Sequence, residues 1–328
     1  MLHSKVIVES SARLHLGFYN IISKNVAYGS LGVAISEPKV VVSVLKSKET
    51  AIVNNTSIKQ LEKTVLKTIN MLKLNKVKVI VEKSIPRHVG LGSTTQLMLS
   101  IGYGISSLYK LNYSIRELAA RLKRGTVSGI GIATFEKGGF VIDSGRIVSG
   151  KIVKPPTKVE ELPQIIYRKS IPKNWFFTVI IPKGVRGLTE REEKEILSIP
   201  EPMDKNLERE LRETVLMHLL PSLASVNIEE FGKALTKVQI LVGTYFAKYQ
   251  GGIFCCEETE YAINSMLRHG AYGAGQSSWG PTAYGIVLGL RRAKNVLRKV
   301  KKDMERKGYE AEYYIVNVRN RGAKIIYS

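Results

Sequence analysis

The sequence predicts an α+β protein whose two domains share a cleft. Its 328 residues exceed the usual size of one compact domain. Hydrophobic residues make up 44% of the chain, which is enough to bury a full core and excludes global disorder. Predicted strands and helices alternate in both halves of the chain, and this alternation favours two layers of mixed structure.

The first half contains predicted elements of both kinds. Hydrophobic spacing predicts strands at Lys5–Glu9, Lys39–Leu45 and Val77–Val81, and helices at Ser57–Leu74, Thr94–Tyr109 and Ser114–Lys123. A hairpin is predicted around Ser144-Gly145, between short strands at Phe140–Ile142 and Ile147–Val148. Pro155-Pro156 then marks the predicted boundary between an N-terminal domain, 1–160, and a C-terminal domain, 161–328.

The second half follows the same scheme. It begins with a predicted strand, Trp175–Ile181, and a long charged loop, Lys183–Pro202. The remaining predicted elements are helices at Lys205–Leu219, Ile228–Ala247 and Glu257–His269, a strand at Thr282–Leu288, a basic helix from Arg291 to Lys307, and a closing strand at Ala311–Val318.

The charge balance favours an anionic ligand. Fifty Lys and Arg residues against 28 Asp and Glu give a net charge of +22, which suits either nucleic acid or a phosphorylated metabolite. The basic helix alternates its charges with Val296, Val300 and Met304, a pattern typical of an amphipathic helix with a solvated basic face.

Cysteine usage and the N-terminus indicate a cytoplasmic protein without a membrane partner. The two cysteines, Cys255 and Cys256, are neighbours, which fits neither an ordinary disulfide nor a metal-ligand spacing and points to a reducing compartment. The first ten residues do not resemble a signal peptide, and no stretch reaches 18 apolar residues.

The segment Pro86–Thr95 lies between a predicted strand and the start of an apolar helix. Backbone amides of such a turn can converge on an anion, and the helix dipole adds favourable potential. The alternative is a tight turn with an ordinary N-cap. The phosphate-binding candidates in this segment are Arg87, His88, Gly90, Leu91, Gly92, Ser93, Thr94 and Thr95.

A second loop of small residues, Gly270–Thr282, has the same chemical character. Its glycines permit positive φ angles and close approach of the backbone to a ligand of diphosphate size. A flexible linker fits less well, because Trp279 and Pro281 restrict the chain. The phosphate-binding candidates here are Gly275, Gln276, Ser277 and Ser278. Both loops can face one cleft.

In order and separation the two loops resemble the central and C-terminal glycine-rich motifs of the GHMP superfamily, which contains galactokinase, homoserine kinase, mevalonate kinase and phosphomevalonate kinase. The resemblance covers nearly the whole chain. It implies the two-domain architecture of that superfamily, with the active site between the domains and the Pro86 loop over the ligand phosphates.

Two departures from the kinases concern their catalytic acids. Where the kinases carry Ser-Gly-Ile/Val-Asp-Asn, this chain has Ser128–Thr134, and Gly131 stands in place of the catalytic aspartate. The magnesium-binding glutamate of the kinases lies a few residues upstream, whereas Ala119–Val127 contains no carboxylate. Phosphoryl transfer requires metal ligands and a group that orients the attacking hydroxyl, and both are missing at these positions.

The chain resembles the β-ribofuranosylaminobenzene 5′-phosphate synthases, an archaeal branch of the GHMP superfamily. The residues that carry this resemblance are the stretches Ser11–Gly17, Gly29–Pro38, Arg124–Ile132, Phe135–Phe140 and Arg319–Ala323. The resemblance implies that phosphoribosyl diphosphate reacts with 4-aminobenzoate or 4-hydroxybenzoate, releasing pyrophosphate and carbon dioxide, in methanopterin-type cofactor biosynthesis. It also implies Mg²⁺ as cofactor and no requirement for ATP.

Individual catalytic residues follow from chemistry and position. Arg13 and His15 alternate on an early strand and share one face, and the planar guanidinium of Arg13 suits a carboxylate or a phosphate. The alternative is a surface arginine beside a core histidine. Together with Glu136 these two residues are the catalytic candidates. Glu136 and Asp143, the acids nearest the altered kinase motif, are the candidate metal ligands.

Three aromatic residues, Tyr272, Trp279 and Tyr284, are candidates for stacking on the aromatic substrate, with core packing as the alternative. Two other functions remain as alternatives. One is an ATP-dependent small-molecule kinase with relocated acids. The other is an RNA-binding protein, which the absence of an aromatic RNA-binding signature disfavours. The choice between amino and hydroxy substrate stays open, as does the oligomeric state, a homodimer included.

Overall fold

A long β-hairpin opens the chain and forms the centre of the first sheet. The computed structural model describes residues 4–148, 152–185, 187 and 190–328. Strand β1 spans Lys5–Ser23 and pairs antiparallel with β2, Val26–Lys46. The sequence predicts only the outer ends of this hairpin. Its middle is almost continuously buried, so the alternation of apolar and polar residues that marks a half-buried strand is missing there.

Six further strands complete the first sheet. They are β3 Ala51–Asn54, β4 Val77–Lys83, β5 Phe140–Asp143, β6 Arg146–Ile147, β7 Ile165–Lys169 and β12 Lys324–Tyr327. The central order is β12-β1-β2-β4-β3, and β5 and β6 each pair with β2. The predicted hairpin around Ser144-Gly145 is therefore wrong. The chain makes a local turn there, with Gly145 at a φ of 69°, and continues along β2.

The first sheet also takes up strands from later in the chain. Strand β7 follows the Pro155-Pro156 break and pairs with β5, and β12 at the C-terminus pairs with β1. Both pairings return the chain to the sheet of the first half. The domain boundary between residues 160 and 161 stays a prediction.

Four helices belong to the first half: α1 Leu61–Met71, α2 Ser93–Leu108, α3 Ile115–Arg121 and α4 Ile130–Glu136. Helix α2 packs against β1 and β2. A capping box formed by Ser114 and Glu117 starts α3 at the predicted place. Helix α4 is not predicted from the sequence, because seven residues with a glycine among them give no clear helical period.

The second sheet has four antiparallel strands in the order β11-β8-β10-β9. They are β8 Trp175–Pro182, β9 Gly273–Gln276, β10 Ala283–Leu288 and β11 Ala311–Asn317. Strand β9 lies in the segment where the sequence shows only a glycine-rich link. A Cβ atom at Gly273 would lie 2.0 Å from the carbonyl oxygen of Gly232, so glycine allows the close packing of β9 on a helix.

The second half contains α5 Glu190–Leu197, α6 Lys205–Glu213, α7 Leu220–Ala224, α8 Ile228–Gln250, α9 Glu257–Arg268 and α10 Leu290–Arg306. A π-helical segment, Thr214–Leu219, joins α6 to α7. The predicted charged loop therefore contains a helix, α5. Helix α8 contacts both β9 and β1 and so links the two sheets.

Helix α10 has the amphipathic character that its sequence predicts. Ala293, Val296, Val300 and Met304 are fully buried in the apolar cluster under α9 and α10, and most of its basic side chains face outward. Among the described residues no helix combines the length and the hydrophobicity that crossing a bilayer requires. The predicted α+β class is confirmed.

Candidate functional site

The first glycine-rich loop connects β4 to α2 and ends in a helix N-terminus. His88, Gly90 and Gly92 all have φ between 58° and 85°. Gly92 occupies the N-cap position of α2, and no side chain caps this helix. The first turn of α2, with the hydroxyls of Ser93 and Thr94, lines a cavity, where the amides and the dipole of this 16-residue helix favour an anion.

The second glycine-rich loop lies directly on the first. The Ser277 hydroxyl donates to the carbonyl of Gly90 at 2.8 Å, and the Thr282 hydroxyl donates to the carbonyl of Val89 at 2.5 Å. A Cβ atom at Gly90 would lie 2.0 Å from the carbonyl oxygen of Ser277, so the two backbones touch. Loops from the two halves of the chain thus form one wall.

Arg13 lies on β1 against the first loop. Its backbone N–H donates to the carbonyl of Leu91 at 3.2 Å, and its guanidinium donates to the carbonyl of Gly90. The Nε atom is buried without a hydrogen-bond partner. Burial lowers the pKa of Arg13 to about 10, and the carboxylate of Glu193 acts in the opposite direction. Arg13 therefore stays charged at neutral pH and has donor capacity to offer a ligand.

The cavity between these groups, the phosphate cleft, has a volume of about 110 Å³. Its charged side chains other than histidine are Arg13, Arg124 and Glu193. It is lined by Arg13, His88, Gly90, Leu91, Gly92, Ser93, Thr94, Thr95, Arg124, Glu193, Ser278 and Gly280. Two arginines, one carboxylate and a helix N-terminus make this cleft a site for a polyanion.

Gly131, which replaces the kinase aspartate, lies beside the cleft. A Cβ atom at this position would be 3.1 Å from Cγ2 of Thr95, and the carbonyl of Gly131 accepts a hydrogen bond from the Gln96 amide at 2.8 Å. Nε of Arg124 donates to the hydroxyl of Thr95 at 3.3 Å. The guanidinium of Arg124 therefore lies near Gly131, the position at which the resemblance to the kinases implies an aspartate.

His15 lines a second cavity, the aromatic cavity. Its lining residues are His15, Gly17, Phe18, Gln239, Val242, Gly243, Phe246, Gln250, Ile253, Phe254, Gln276, Ser278 and Trp279. Ser278 lines both cavities. Arg13 and His15 thus share one strand face, as predicted, but they line different, adjacent cavities.

The electrostatic state of His15 follows from its burial. The residue is 4% exposed, and burial, with the positive charge of Arg13 second, lowers its pKa to about 3. The ring is therefore neutral at physiological pH. Nδ1 accepts from the backbone N–H of Gly17 at 3.4 Å, and Nε2 is buried without a partner.

Three of the four predicted residues in the second loop hold the loop in place. A Cβ atom at Gly275 would lie 2.2 Å from the side chain of Gln239, so this glycine packs on α8. Gln276 donates to the carbonyl of Ser278 at 2.8 Å and accepts from the Cys255 amide at 2.7 Å. Ser277 is fully buried and bridges β1 to the first loop. Ser278, at a φ of 57°, is the predicted loop residue that lines the phosphate cleft.

The remaining predictions in the first loop divide between the cleft and its surroundings. His88, Gly90 and Leu91 line the cleft, and the carbonyl of His88 accepts from the Gly187 amide at 2.9 Å. Arg87 is partly buried and lines neither cavity.

The structure brings neither Glu136 nor Asp143 to either cavity. Glu136 ends α4 and forms an ion pair with Lys137 at 3.3 Å. Asp143 is fully buried, and its oxygens accept from the amides of Ser30, Gly129 and Gly145 at 2.7–3.1 Å. Burial raises the pKa of Asp143 to about 7 against these hydrogen bonds, which lower it. Its geometry is that of a brace for the start of α4 and leaves little room for metal coordination.

The three aromatic candidates also separate. Trp279 lines the aromatic cavity, with its ring 4.6 Å from that of Phe246. Tyr284 is fully buried in the core. Tyr272 lies under the guanidinium of Arg292, 4.4 Å from ring centre to Cζ, and lines neither cavity.

Two residues that line the cleft, Arg124 and Glu193, are not among the predicted site residues. Arg124 carries a signal, because it starts one of the stretches on which the resemblance to the synthases rests. Glu193 carries none, since it is one of several acids in a segment predicted as a loop. No group of three or more His, Cys, Asp and Glu side chains that could hold a metal lies within the part of the chain described here.

Comparison with known proteins identifies relatives over most of the chain. Residues 57–139 match the GHMP kinases N terminal domain, and residues 219–306 match GHMP kinases C terminal. A β-ribofuranosylphenol 5′-phosphate synthase from Archaeoglobus fulgidus is 30% identical over 306 residues, 90% of this chain and 91% of the relative. The protein of the same name from Methanothermobacter thermautotrophicus is 29% identical over 300 residues, 86% and 89% of the two chains.

Solved structures show the same fold at low sequence identity. Homoserine kinase from Cytophaga hutchinsonii superposes with a TM-score of 0.72 at 16% identity, covering 99% of this chain and 98% of that one. The L. major mevalonate kinase in complex with R-mevalonate gives 0.69 at 13% identity, with 96% of each chain covered. The predicted two-domain architecture of the GHMP kinases is therefore confirmed.

Proposed function

Because the chain belongs to the β-ribofuranosylphenol 5′-phosphate synthase family of the GHMP kinase superfamily, we propose that it joins phosphoribosyl diphosphate to a 4-substituted benzoate. The products are a carbon-linked riboside 5′-phosphate, pyrophosphate and carbon dioxide. The observation that carries this proposal is the phosphate cleft, where two arginines and the first turn of α2 surround a space that suits a diphosphate.

The reaction needs strong stabilisation of its leaving group. When the bond between the anomeric carbon and the diphosphate breaks, the electron pair leaves with pyrophosphate and positive charge develops on the sugar. Arg13, Arg124 and the amides at the start of α2 are arranged to receive the growing negative charge of pyrophosphate. The ring carbon that bears the carboxylate forms the new bond to the anomeric carbon. The bond to the carboxylate then breaks, so carbon dioxide leaves and aromaticity returns.

Mg²⁺ is part of the proposal. This ion prefers oxygen ligands and often takes several of them from substrate phosphates and water. Glu193, which faces Arg13 in the cleft, and the hydroxyls of Ser93 and Thr94 fit an ion that arrives with the diphosphate. When bound, Mg²⁺ would neutralise part of the charge on the leaving group. Glu136 and Asp143 are less suited, because they lie outside the cleft.

The alternative of an ATP-dependent kinase has less support. Gly131 offers no side chain where the kinases resembled here place their catalytic aspartate. The carboxylate that lines the cleft, Glu193, lies close enough to Arg13 to affect its pKa, so it is not a free base for an attacking hydroxyl. We therefore propose a reaction without ATP. A place in methanopterin-type cofactor biosynthesis, in the cytoplasm, accompanies this proposal, and a homodimer stays an expectation.

The proposal is tested by product analysis. The protein is incubated with Mg²⁺ and phosphoribosyl diphosphate, with either benzoate carrying labelled carbon in its carboxyl group. We expect release of labelled carbon dioxide and pyrophosphate in equal amounts, dependent on both substrates and independent of ATP. Pyrophosphate release without a benzoate, or ATP consumption at about 1 per second or more with mevalonate or homoserine, would contradict it.

A further inference from the structure

The two cysteines of the chain, Cys255 and Cys256, lie against the second glycine-rich loop. They end the segment that joins α8 to α9, and both residues are partly exposed. The backbone N–H of Cys255 donates to Oε1 of Gln276 at 2.7 Å, which fixes the segment to the loop. Neither cysteine lines the phosphate cleft or the aromatic cavity, so the pair lies outside the site described above.

The two sulfur atoms lie close enough to react with each other. Their separation is 3.5 Å, and the S–H of Cys255 points to Sγ of Cys256. Oγ1 of Thr259 is 3.6 Å from the sulfur of Cys255 and 3.1 Å from that of Cys256. Because this hydroxyl donates its own proton to the carbonyl of Pro281 at 2.7 Å, it acts as an acceptor for the thiols. A common partner therefore holds the two sulfurs side by side.

The two thiols differ in acidity, and this difference assigns the attacking sulfur. The hydrogen bond between them lowers the pKa of Cys256 to about 7 and raises the pKa of Cys255. Burial and the carboxylate of Glu258 act against the lowering at Cys256. Cys256 is also the N-cap residue of α9, where the helix dipole favours a thiolate. Since the thiolate is the nucleophile, Cys256 is the sulfur that attacks an external disulfide.

The cysteine pair is linked to the phosphate cleft through Gly280. The sulfur of Cys255 lies 3.7 Å from the carbonyl oxygen of Gly280, within reach of its S–H. Gly280 lines the cleft, and a Cβ atom at this position would lie 2.1 Å from the carbonyl carbon of Val89 in the first loop. A small displacement of Gly280 therefore changes the contact between the two loops.

We propose that Cys255 and Cys256 are a modification site, a dithiol that a low-molecular-weight disulfide oxidises reversibly to a disulfide between the two neighbours, and that oxidation weakens anion binding in the phosphate cleft. The thiolate of Cys256 attacks one sulfur of the external disulfide, forms a mixed disulfide and releases the first thiolate. Sγ of Cys255 loses its proton to water, attacks Sγ of Cys256 and releases the second thiolate. The two cysteines are thus oxidised by two electrons, and the external disulfide is reduced to two thiols.

The bond between the two neighbours is easily reduced. Cα atoms of adjacent residues are about 3.8 Å apart across a trans peptide bond, below the range of about 4.4–6.8 Å of ordinary disulfides. Strained disulfides have more oxidising reduction potentials and belong to the labile, regulatory class. Under reducing conditions the pair therefore stays a dithiol, and it responds when an external disulfide accumulates. Oxidation removes the S–H that points to the carbonyl of Gly280, so the second loop loses this contact.

Mass spectrometry of the full chain tests the modification. The reduced protein is equilibrated with glutathione buffers of increasing disulfide content, quenched with acid and alkylated. We expect the wild type to lose two hydrogens and both free thiols without gaining glutathione, and to recover in excess reduced glutathione. Cys255→Ser should stop at a glutathione adduct on Cys256, and Cys256→Ser should react at least tenfold more slowly. A stable adduct on the wild type, a disulfide between two chains, an unreacted dithiol at every ratio or equal rates in the two variants overturns the proposal.

Phenylarsine oxide provides a second measurement, which needs no variant. A trivalent arsenical bridges two thiols that lie side by side, with release of water, and holds single thiols only weakly. We expect the folded wild type to bind one arsenical per chain, to lose both free thiols and to release the arsenical to a competing dithiol but not to a monothiol. Displacement by an excess of a monothiol would mean that the two sulfurs do not act as a pair, and would overturn the proposal.

Calorimetric titration with Mg²⁺ and inorganic pyrophosphate tests the link to the cleft. We expect the oxidised wild type to bind pyrophosphate at least threefold more weakly than the reduced form. The double variant Cys255→Ser/Cys256→Ser is the control, and the same oxidising treatment should leave its affinity unchanged. Equal affinity of the two wild-type forms overturns the proposal. If the reduced wild type does not bind pyrophosphate at all, the proposed function fails, and amide hydrogen exchange at 276–280 decides the link: faster exchange in the oxidised protein supports it, and unchanged exchange overturns it.

Discussion

At the residue scale, Arg13 holds the first loop, and we propose that it also binds the substrate. Its guanidinium donates to Gly90 in the first loop, and its Nε is left for a substrate. A lysine at this position has one ammonium group. It cannot hydrogen-bond to the Gly90 carbonyl and to a substrate with the planar geometry of a guanidinium. The charge alone is therefore insufficient for the role we propose.

We expect Arg13→Lys to lower kcat/KM for phosphoribosyl diphosphate. The loss should correspond to about 1–3 kcal/mol of transition-state stabilisation, the range for charge-assisted hydrogen bonds. Steady-state kinetics measures this change. Arg298→Lys on the outer face of α10 is the matched control and should behave as the wild type. Unchanged kinetics in Arg13→Lys would exclude Arg13 from substrate binding.

Both the backbone conformation at position 92 and the space around it favour glycine there. Its φ is 77°, and a Cβ atom would approach Arg13 to 3.3 Å. We expect Gly92→Val to abolish pyrophosphate binding in calorimetry. Gly308→Val is the control, because Gly308 has the same φ of 77° with open space around it. Both variants should lose about 1–3 kcal/mol of stability from backbone strain. Equal pyrophosphate affinity in the two variants would remove the first loop from the site.

His15 also predicts a pH dependence of stability. Its pKa is about 3 in the folded protein and about 6.5 in an unfolded chain, so below pH 6.5 only the unfolded state takes up this proton. Its contribution to stability is complete above pH 6.5 and decreases as the pH falls towards 3. Between pH 6.5 and 5 the loss is about 2 kcal/mol. Urea unfolding at pH 7.5 and 5 should show a smaller decrease for His15→Phe than for the wild type. An identical decrease would mean that His15 titrates normally.

At the element scale, helix α4 carries Gly131, the position at which the resemblance to the kinases implies an aspartate. Asp143 holds the start of α4 through the amide of Gly129, and the first turn places Gly131 against Thr95 at the cleft. The start of α4 is therefore held beside the cleft, and Gly131 presents no carboxylate there. An acid added here would lie against Thr95, whose hydroxyl accepts from Arg124, at the edge of the phosphate cleft.

We expect Gly131→Asp to lose synthase activity without gaining ATP turnover, because the added carboxylate repels pyrophosphate and benzoate. Gly131→Asn has nearly the same shape without the charge and is the control. It should retain more activity than the aspartate variant. The assays are pyrophosphate release and ATP consumption with mevalonate and homoserine. ATP turnover in Gly131→Asp at an ordinary enzymatic rate would favour the kinase alternative.

At the scale of the whole molecule, the site depends on contact between two distant parts of the chain. The hydroxyl of Thr282 donates to the carbonyl of Val89 at 2.5 Å and so holds the second loop on the first. Helix α8 supports the same contact from the other side, since it packs on both β9 and β1. The shape of the phosphate cleft is therefore a property of the packed halves together.

We expect Thr282→Val to lower the free energy of unfolding by about 1–3 kcal/mol, because the carbonyl of Val89 loses its buried partner. Pyrophosphate affinity should fall as well, since the loops separate. Thr178→Val also removes a buried hydroxyl that donates to a backbone carbonyl, at 3.2 Å, but inside the second sheet. It should lose stability and keep pyrophosphate affinity. A Thr282→Val protein with normal affinity would show that the cleft forms without this contact.

Some features of this protein are determined by local sequence alone. The helices α2, α8 and α10 are predicted closely, because α8 and α10 each have one apolar face over several turns and α2 is apolar nearly all round. The glycines of both loops predict that the backbone closely approaches a ligand or another segment of the chain. Gly131, in place of an aspartate, disfavours a kinase. Arg13 and His15 share a strand face because strand side chains alternate.

Tertiary packing decided what local patterns leave open. The middle of the β1/β2 hairpin is buried on both sides and loses its alternation, and β9 is a strand only because it pairs with β10. Gly275 and Ser277 turn out to pack and brace, whereas Arg124 and Glu193 reach the cleft from segments without a motif. Whether a polar side chain meets a ligand or a neighbouring backbone depends on groups distant in sequence, and burial and partners exist only in the folded chain.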